Sequence, residues 1–470
     1  MPALTADTWT DRQRMKLETS MDEVVRAGHA TQVAMEQSLD EKRNSAIKGA
    51  VFSEFIDMFD IYLPVIILAP IQSYFLPKHV SGGHQAILES LVFITTLLGR
   101  PLGAILFGRI ADRVGRRTAS ILSVTGFGVA TLLIALIPGY ASIGIASYWL
   151  LVLLRFVDGI FLGGGYTGAL PLAIEYSRKE QRGLVGGLIL AGFPAAYVAI
   201  NVMAMAMFAL FPLGGPDSPY AMWGWRLPFV IGAAMAGLLA VYYVRKVSES
   251  EVWAGKSARQ PEATSATRLV SGQQFRNLMQ VLLMMTGFWL TQNVVGLFLP
   301  TGILLKTLHL SAFEMTVTLM IAYTVLCFAY VGAGIVGQWI GRRTMLAAIG
   351  VLSSTIGAIL LGALIEAQGA SLVHIGLLVC ALAITVSSAW AVIVTYINER
   401  FATGVRATGF GVGYSLSVII PSFYAFYMNW LGALVPSRYA PVALLVIGGI
   451  VACVGALMGP ETKRQPACCR

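Results

Sequence analysis

The chain has 470 residues, 56% of them hydrophobic and only 12% charged, with a formal net charge of +9. A soluble domain carries about 25% charged residues, so this composition excludes an ordinary water-soluble enzyme and points to lipid as the solvent. The positive balance calls for no nucleic-acid partner, because the basic residues are spread over many short loops instead of forming one patch.

Residues 1–47 are polar, with acids and bases nearly balanced. They are expected to be a cytoplasmic N-terminal arm. Residues 21–35 could wind into an amphipathic helix, but the composition favours a mobile segment. No cleavable signal is expected, because the first apolar stretch starts late and is long. Twelve nearly uncharged segments follow, each roughly 20 residues long, the length of a spanning helix. They cover 48–69, 87–108, 118–138, 148–170, 183–205, 226–244, 278–301, 312–336, 344–363, 374–396, 409–430 and 441–459. In lipid a helix satisfies its backbone within the segment, and the alternation that marks a membrane barrel is absent.

The expected fold is therefore an all-α membrane protein with twelve transmembrane helices in two pseudo-symmetric six-helix bundles. The bundles occupy 48–247 and 277–459, joined by a linker (248–276) rich in Ala, Ser, Thr and charge, with a tail at 460–470. Most loop cations lie on one side: Arg109, Arg113, Arg116, Arg117, Arg178, Lys179, Arg182, Arg245, Lys246, Lys256, Arg259, Arg268, Arg276, Arg342, Arg343, Arg400 and Arg406. The other side has little beyond Lys78, Arg226, Lys306 and Arg438. The positive-inside rule then puts both termini in the cytoplasm of a multi-pass plasma-membrane protein, in a bacterium the inner membrane. Cys327, Cys380 and Cys453 fall in apolar helices and read as small core residues; Cys468 and Cys469 sit in the tail.

An internal repeat supports the two bundles. Gly108-Arg109-Ile110-Ala111-Asp112-Arg113-Val114-Gly115-Arg116-Arg117 returns as Gly334-Ile335-Val336-Gly337-Gln338-Trp339-Ile340-Gly341-Arg342-Arg343, with Gln338 where Asp112 stood. Glu175 before Arg182-Gly183 is matched by Glu399 before Arg406-Ala407, and Pro194 by Pro421. Two homologous half-bundles that rock against each other are the architecture of a secondary transporter.

Away from the span ends, charges are confined to the first half. The first span holds Glu54, Asp57 and Asp60, whose spacing of three puts them on one broad stripe. The second holds Arg100, and the fourth holds Arg155 and Asp158. Their second-half equivalents are Gln280, Leu283, Thr286, Leu326, Val379 and Leu382, so the scaffold itself does not require the charges. A bland alternative is that these acids and arginines merely neutralise one another. At a rise of ~1.5 Å per residue, Asp57 and Arg100 lie roughly 12–14 Å from the cytoplasmic helix ends, and Asp60, Arg155 and Asp158 roughly 18–24 Å. Two polar layers are expected: Glu54 and Asp57 with Arg100, then Asp60 and Asp158 with Arg155. Four acids facing two arginines cannot all stay ionised in a dry cavity, so proton coupling is assigned to Glu54, Asp57, Asp60 and Asp158. Arg155 is a candidate anchor for a carboxylate, unless Asp158 or Asp60 already occupies it; Arg100 is a second candidate. On the opposite wall Trp289, Gln292, Asn293 and Trp390 are candidate lining residues, with packing the alternative for the two tryptophans.

The chain resembles the major facilitator superfamily along all its spans. The loop at 108–117 is similar to that family's best-known signature, and Arg155-Phe156-Val157-Asp158-Gly159 with Gly163-Gly164 to its fourth-helix signature. Glu54-x-x-Asp57, Arg100-Pro101-Leu102-Gly103 and Trp223-Gly224-Trp225-Arg226-Leu227-Pro228-Phe229 resemble the metabolite:proton symporter branch. The resemblance implies import of small polar metabolites (carboxylates, aromatic acids or zwitterionic osmolytes) with protons. One departure is Gly165, where that branch usually has Glu.

Asp112 is read as opening the third span, where a carboxylate caps exposed amides. The resemblance adds that such an acid contacts the eleventh helix and holds the inner side shut, with Arg406 as expected partner. Arg113, Arg116 and Arg117 are expected to reach Glu175, and Arg342 and Arg343 to reach Glu399. Gly108 and Gly115 complete this gate. Gln338 cannot ion-pair with Arg182, so closure is expected to lean on Asp112. The reading is a proton-coupled symporter of a small organic acid or related metabolite, working by alternating access as a monomer in the bilayer. It needs no metal or cofactor beyond the proton gradient. A proton-driven exporter and a non-transporting membrane sensor are the alternatives. No nucleophilic or metal-binding constellation suggests an enzyme.

Overall fold

The computed structural model describes residues 11–77, 82–250, 269, 271–402 and 404–463. Lys78, most of the 248–276 linker, Cys468 and Cys469 lie outside the described residues. The described chain is helical, and its principal helices are α1 (Asp11–Ile67), α2 (Gly82–Arg113), α3 (Arg116–Ala135) and α4 (Ala146–Tyr176). They continue with α5 (Lys179–Leu210), α6 (Tyr220–Lys246), α7 (Gly272–Leu305), α8 (Ala312–Ile340), α9 (Arg342–Ile365) and α10 (Leu372–Arg400). The last two are α11, which is Arg406–Ser422 continued by Tyr424–Leu431 after a 41° bend, and α12 (Ser437–Leu457).

Helices α2 to α10 and α12 each contain a segment long and apolar enough to cross a bilayer, and the two parts of α11 do so together. The span within α1 is less apolar because it carries Glu54, Asp57 and Asp60. Hydropathy located these helices but cut them short: α2 starts five residues before 87 and ends five after 108. Helix persists where the chain has left the apolar core, because its hydrogen bonds are internal. The same argument corrects the mobile arm. Helix α1 begins at Asp11 and runs unbroken into the span. Residues 11–47 contain a single Gly, no Pro and many strong helix formers, and that local preference outweighs their polarity.

Glycines set the closest helix approaches. In the first half α2 and α4 interlock through Gly99, Gly103, Gly159 and Gly163, and a Cβ at any of them would strike the facing backbone. The two halves meet along α2–α11 and α5–α8. Gly183 and Gly334 oppose each other there, and an added Cβ on Gly187 would approach the Tyr330 carbonyl to 2.6 Å. A Cβ on Gly108 would come within 2.7 Å of the Thr408 backbone.

Gly115 and Gly341 serve another purpose. Each precedes the first residue of a helix (α3 and α9) with φ of 127° and 107°, a conformation that disfavours any side chain. Neither helix carries its own cap. The Glu249 carboxylate accepts the Arg116 and Arg117 amides at 2.8 and 3.1 Å, and Glu461 accepts those of Arg342 and Arg343 at 2.9 and 3.1 Å. These acids follow α6 and α12, so each half-bundle closes its own start with its own end.

Candidate functional site

Helix α1 carries its three acids into the interior of the first half, against its other helices, and all three are buried. Asp60 and Asp158 both reach Arg155, at 3.2 and 2.8 Å. Thr131 donates to Asp60 at 2.5 Å and the Arg155 Nε donates to Thr96 at 3.0 Å. This layer is an internal ion cluster. Arg155 therefore has two carboxylates already, which is the alternative the sequence left open to its role as an anchor for substrate. Removing one partner of such a cluster strands a buried charge, so the cluster fixes α1 against α4 whatever else it does.

The other layer is built differently. Among the described residues Arg100 makes no ion pair. Its guanidinium carbon lies 4.6 Å from the centre of the Tyr166 ring on α4 and 5.9 Å from that of Tyr414 on α11. Those two rings stack at 4.5 Å across the seam. The Nε and Nη2 of Arg100 have no hydrogen-bond partner, and neither do the carboxylate oxygens of Glu54 and Asp57. Glu54 and Asp57 lie within electrostatic reach of Arg100 without touching it. The expected pairing is thus replaced by a buried, unpaired set of two acids and one guanidinium beside two phenols. Cation–π attraction holds Arg100 in place, and its forked donors remain available.

The second half supplies an aromatic wall. Trp289 and Trp390 meet edge to face at 4.5 Å, and both contact Tyr414. Their indole N–H groups donate to the Tyr414 carbonyl and to Gln292 Oε1. Gln292 also accepts from Ser387 at 2.9 Å. Asn293 donates to the Pro421 carbonyl at 2.8 Å, where α11 bends, and so braces that bend. Immediately beyond it, α7 loosens into a π-helical stretch, Val294–Leu305. Such widened turns are frequent at functional sites.

On the side that bears the basic loops the halves are clasped. Asp112 belongs to the last turn of α2, not to the start of α3, and it caps α11. Its carboxylate accepts the Ala407 and Thr408 amides at 3.3 and 3.1 Å and the Thr408 hydroxyl at 2.7 Å. The expected partner Arg406 pairs instead with Glu175 at 3.0 Å, which also receives Arg116 at 3.3 Å. The pseudo-symmetric set is Arg182 and Arg342 on Glu399, at 3.4 and 3.2 Å. Gln338 takes the place of Asp112 by accepting the Gly183 amide at 3.1 Å, and its own amide donates to the Lys179 carbonyl. Each clasp therefore joins an acid at the end of α4 or α10 to an arginine of its own half and one of the other half.

Three expected loop contacts are replaced. Arg117 donates to the Tyr243 and Val244 carbonyls, Arg343 is placed by its amide on Glu461, and Arg113 is exposed, whereas Glu175 is taken by Arg116 and Arg406. Sequence reasoning missed Thr96, Thr131, Tyr166, Tyr414, Ser387, Glu249 and Glu461. A readable signal existed for the last two: Glu249-Ser250 and Glu461-Thr462 each follow the final helix of a half. The tyrosines sit among many aromatics and carry no spacing that sets them apart.

Residues 50–425 match the sequence family described as Major Facilitator Superfamily. Among curated proteins, the chain is 25% identical over 435 residues to the glycine betaine/proline/ectoine/pipecolic acid transporter OusA of Dickeya dadantii (strain 3937), covering 91% of this chain and 85% of that one. It is 27% identical over 433 residues to the inner membrane metabolite transport protein YhjE of Escherichia coli (strain K12), covering 90% and 95%. Among solved structures, the proton:xylose symporter XylE bound to 6-bromo-6-deoxy-D-glucose aligns with a TM-score of 0.69 at 18% identity, covering 89% of this chain and 95% of that one. FucP in its outward conformation aligns with a TM-score of 0.67 at 15% identity, covering 89% and 100%.

Proposed function

The chain belongs to the major facilitator superfamily and is a multi-pass membrane transporter, not an enzyme, and from that premise we propose that it imports a small carboxylate-bearing metabolite together with protons. The observation that carries this reading is the unpaired set beside the seam: among the described residues Arg100 has no acid and Glu54 and Asp57 have no donor. A carboxylate brought to Arg100 finds a forked donor held over an aromatic face. An ionised acid without a partner is costly in such surroundings, so a proton is the natural counter-charge for Glu54 and Asp57. Burial of both acids ties their protonation to whichever side the seam opens toward.

Several features support uptake in particular. The basic-loop side is clasped shut, and the positive-inside rule makes that side, with both termini, the cytoplasm. Relatives such as OusA are named for betaine, proline, ectoine and pipecolic acid, compounds that each carry a carboxylate. Both walls of the seam come from one polypeptide, so one chain suffices, and the proton gradient of the plasma membrane is the energy source without any bound cofactor. Alternating access then consists of loading Arg100 and the acids, closing the far side, and parting the Glu175 and Glu399 clasps.

The test uses purified protein in proteoliposomes with an imposed pH gradient and labelled proline, glycine betaine and simple organic acids. Uphill accumulation of at least one compound is expected with an alkaline interior. Asp57→Asn should abolish accumulation but keep exchange of bound substrate. Specific binding without flux of any compound would overturn the transport reading in favour of a sensor.

A further inference from the structure

Helix α4 passes its neighbours on three consecutive glycines whose surroundings differ. A Cβ at Gly163 would strike the Arg100 carbonyl, and one at Gly164 would meet Phe107 and Ser123 on α2 and α3. These are ordinary close-packing positions. At Gly165 the three nearest atoms all belong to the Asp57 side chain, and an added Cβ would overlap Oδ2 and lie 3.2 Å from Cγ. Asp57 is fully buried, and neither of its oxygens has a hydrogen-bond partner. On α5, Gly192 lets α1 in from another side, where a Cβ would come within 2.8 Å of the Phe55 amide. The acid-bearing turn of α1 is therefore seated between two glycines.

We propose that Gly165 is a positioning residue for proton coupling: the volume its missing side chain leaves is the volume the Asp57 carboxylate occupies. The site then requires a carboxylate at one point in space, and this chain supplies it from α1 across the face of α4. Helix packing alone does not account for the glycine, because no backbone atom is among the three that a methyl group at 165 would meet first. The charged and titratable groups around that acid are Glu54 and Asp60 on α1, Arg100 on α2, Asp158 and Tyr166 on α4 and Tyr243 on α6. A small displacement of Asp57 changes its distance to all of them. The proposal rests on the reading that Asp57 carries the coupled proton.

The experiment compares Asp57→Ala, Gly165→Ala and the double variant Asp57→Ala/Gly165→Asp with the unmodified protein in proteoliposomes. The readouts are proton-driven accumulation across a pH series, substrate counterflow and melting temperature. Gly165→Ala should reduce accumulation roughly tenfold or more and displace its pH profile, while counterflow and melting temperature hold. The double variant should regain accumulation that Asp57→Ala alone has lost, since a carboxylate again stands at the same point. If Gly165→Ala fails to fold, the double variant, which lacks the overlap, carries the test. An unmoved pH profile in a folded Gly165→Ala protein, or a folded double variant no better than Asp57→Ala, overturns the proposal and leaves the coupling role of Asp57 standing. Full accumulation by Asp57→Ala overturns both.

Discussion

The two halves share a scaffold and differ in what they place at its centre. Each has a glycine with positive φ opening its third helix, an acid from its own end capping that helix, and a Glu receiving two arginines at the seam. Inside, the first half buries Glu54, Asp57, Asp60, Arg100, Arg155 and Asp158. The second-half equivalents are structural. Gln280 donates to the Gly455 carbonyl and accepts from Arg400, Thr286 leans on the Ser417 carbonyl, and Leu326, Val379 and Leu382 are apolar core. One wall is thus ionisable and the other aromatic. The lesson is that the second half closes and clasps with its buried arginines, Arg342 and Arg400, near the basic-loop side and no charge at the six equivalent positions, so the charge at those positions in the first half answers to something other than folding.

That contrast can be broken at several points, the largest first. Arg155→Ala should leave Asp60 and Asp158 facing each other and cost about 3–5 kcal/mol, seen as a steep drop in melting temperature. Leu382→Ala, a void at the second-half equivalent of Asp158, should cost about 2–5 kcal/mol through lost packing alone, with no dependence on pH. A pH-independent Arg155→Ala defect would show that the ion cluster is only filler. Arg100→Gln should raise the substrate concentration needed for half-maximal uptake roughly 10–100-fold, as expected for a lost hydrogen-bonded charge worth about 1.5–3 kcal/mol. Its melting temperature should fall less than that of Arg155→Ala, because Arg100 loses contacts with two rings and no ion pair; unchanged uptake with intact folding would remove it from the substrate site.

Smaller effects test the clasps. Asp112→Ala removes the carboxylate that binds the α11 amides and should shift the resting population toward inward-open by about 1–2 kcal/mol, read as faster labelling of single cysteines on the basic-loop side. Gln338→Ala should shift it less, because a neutral amide is a weaker acceptor than a carboxylate. Equal labelling rates for the two would argue that the halves clasp symmetrically. Glu249→Ala and Glu461→Ala should each cost about 1 kcal/mol as lost helix caps, and by nearly the same amount. A large difference between them would mean that one cap also takes part in gating.

The helices and the repeat were legible because lipid imposes a simple demand: about 20 apolar residues with every backbone group satisfied internally. The grouping of Asp60 and Asp158 with Arg155 could be anticipated from depth alone, since charges at one level in a bundle find each other. The partner of Asp112 could not. Whether a carboxylate meets a guanidinium or a pair of amides depends on how two helices far apart in sequence cross. Here Gly108 lets α11 come so near that its first turn, and not the Arg406 side chain, faces the acid. The length of α1 was misread for a different reason: polarity was weighed above the absence of helix breakers.

By itself the chain of residues determined the twelve spans, the doubled plan and the confinement of charge away from the span ends to one half, because hydropathy, repeat spacing and charge are local properties. Only the tertiary structure decided which charges neutralise one another. It put Arg155 between two acids, laid Arg100 on two rings from opposite halves, and left Glu54 and Asp57 without a donor. Those assignments follow from helix rotation and from glycine-set separations of a few ångströms, over which an ion pair forms or fails to form.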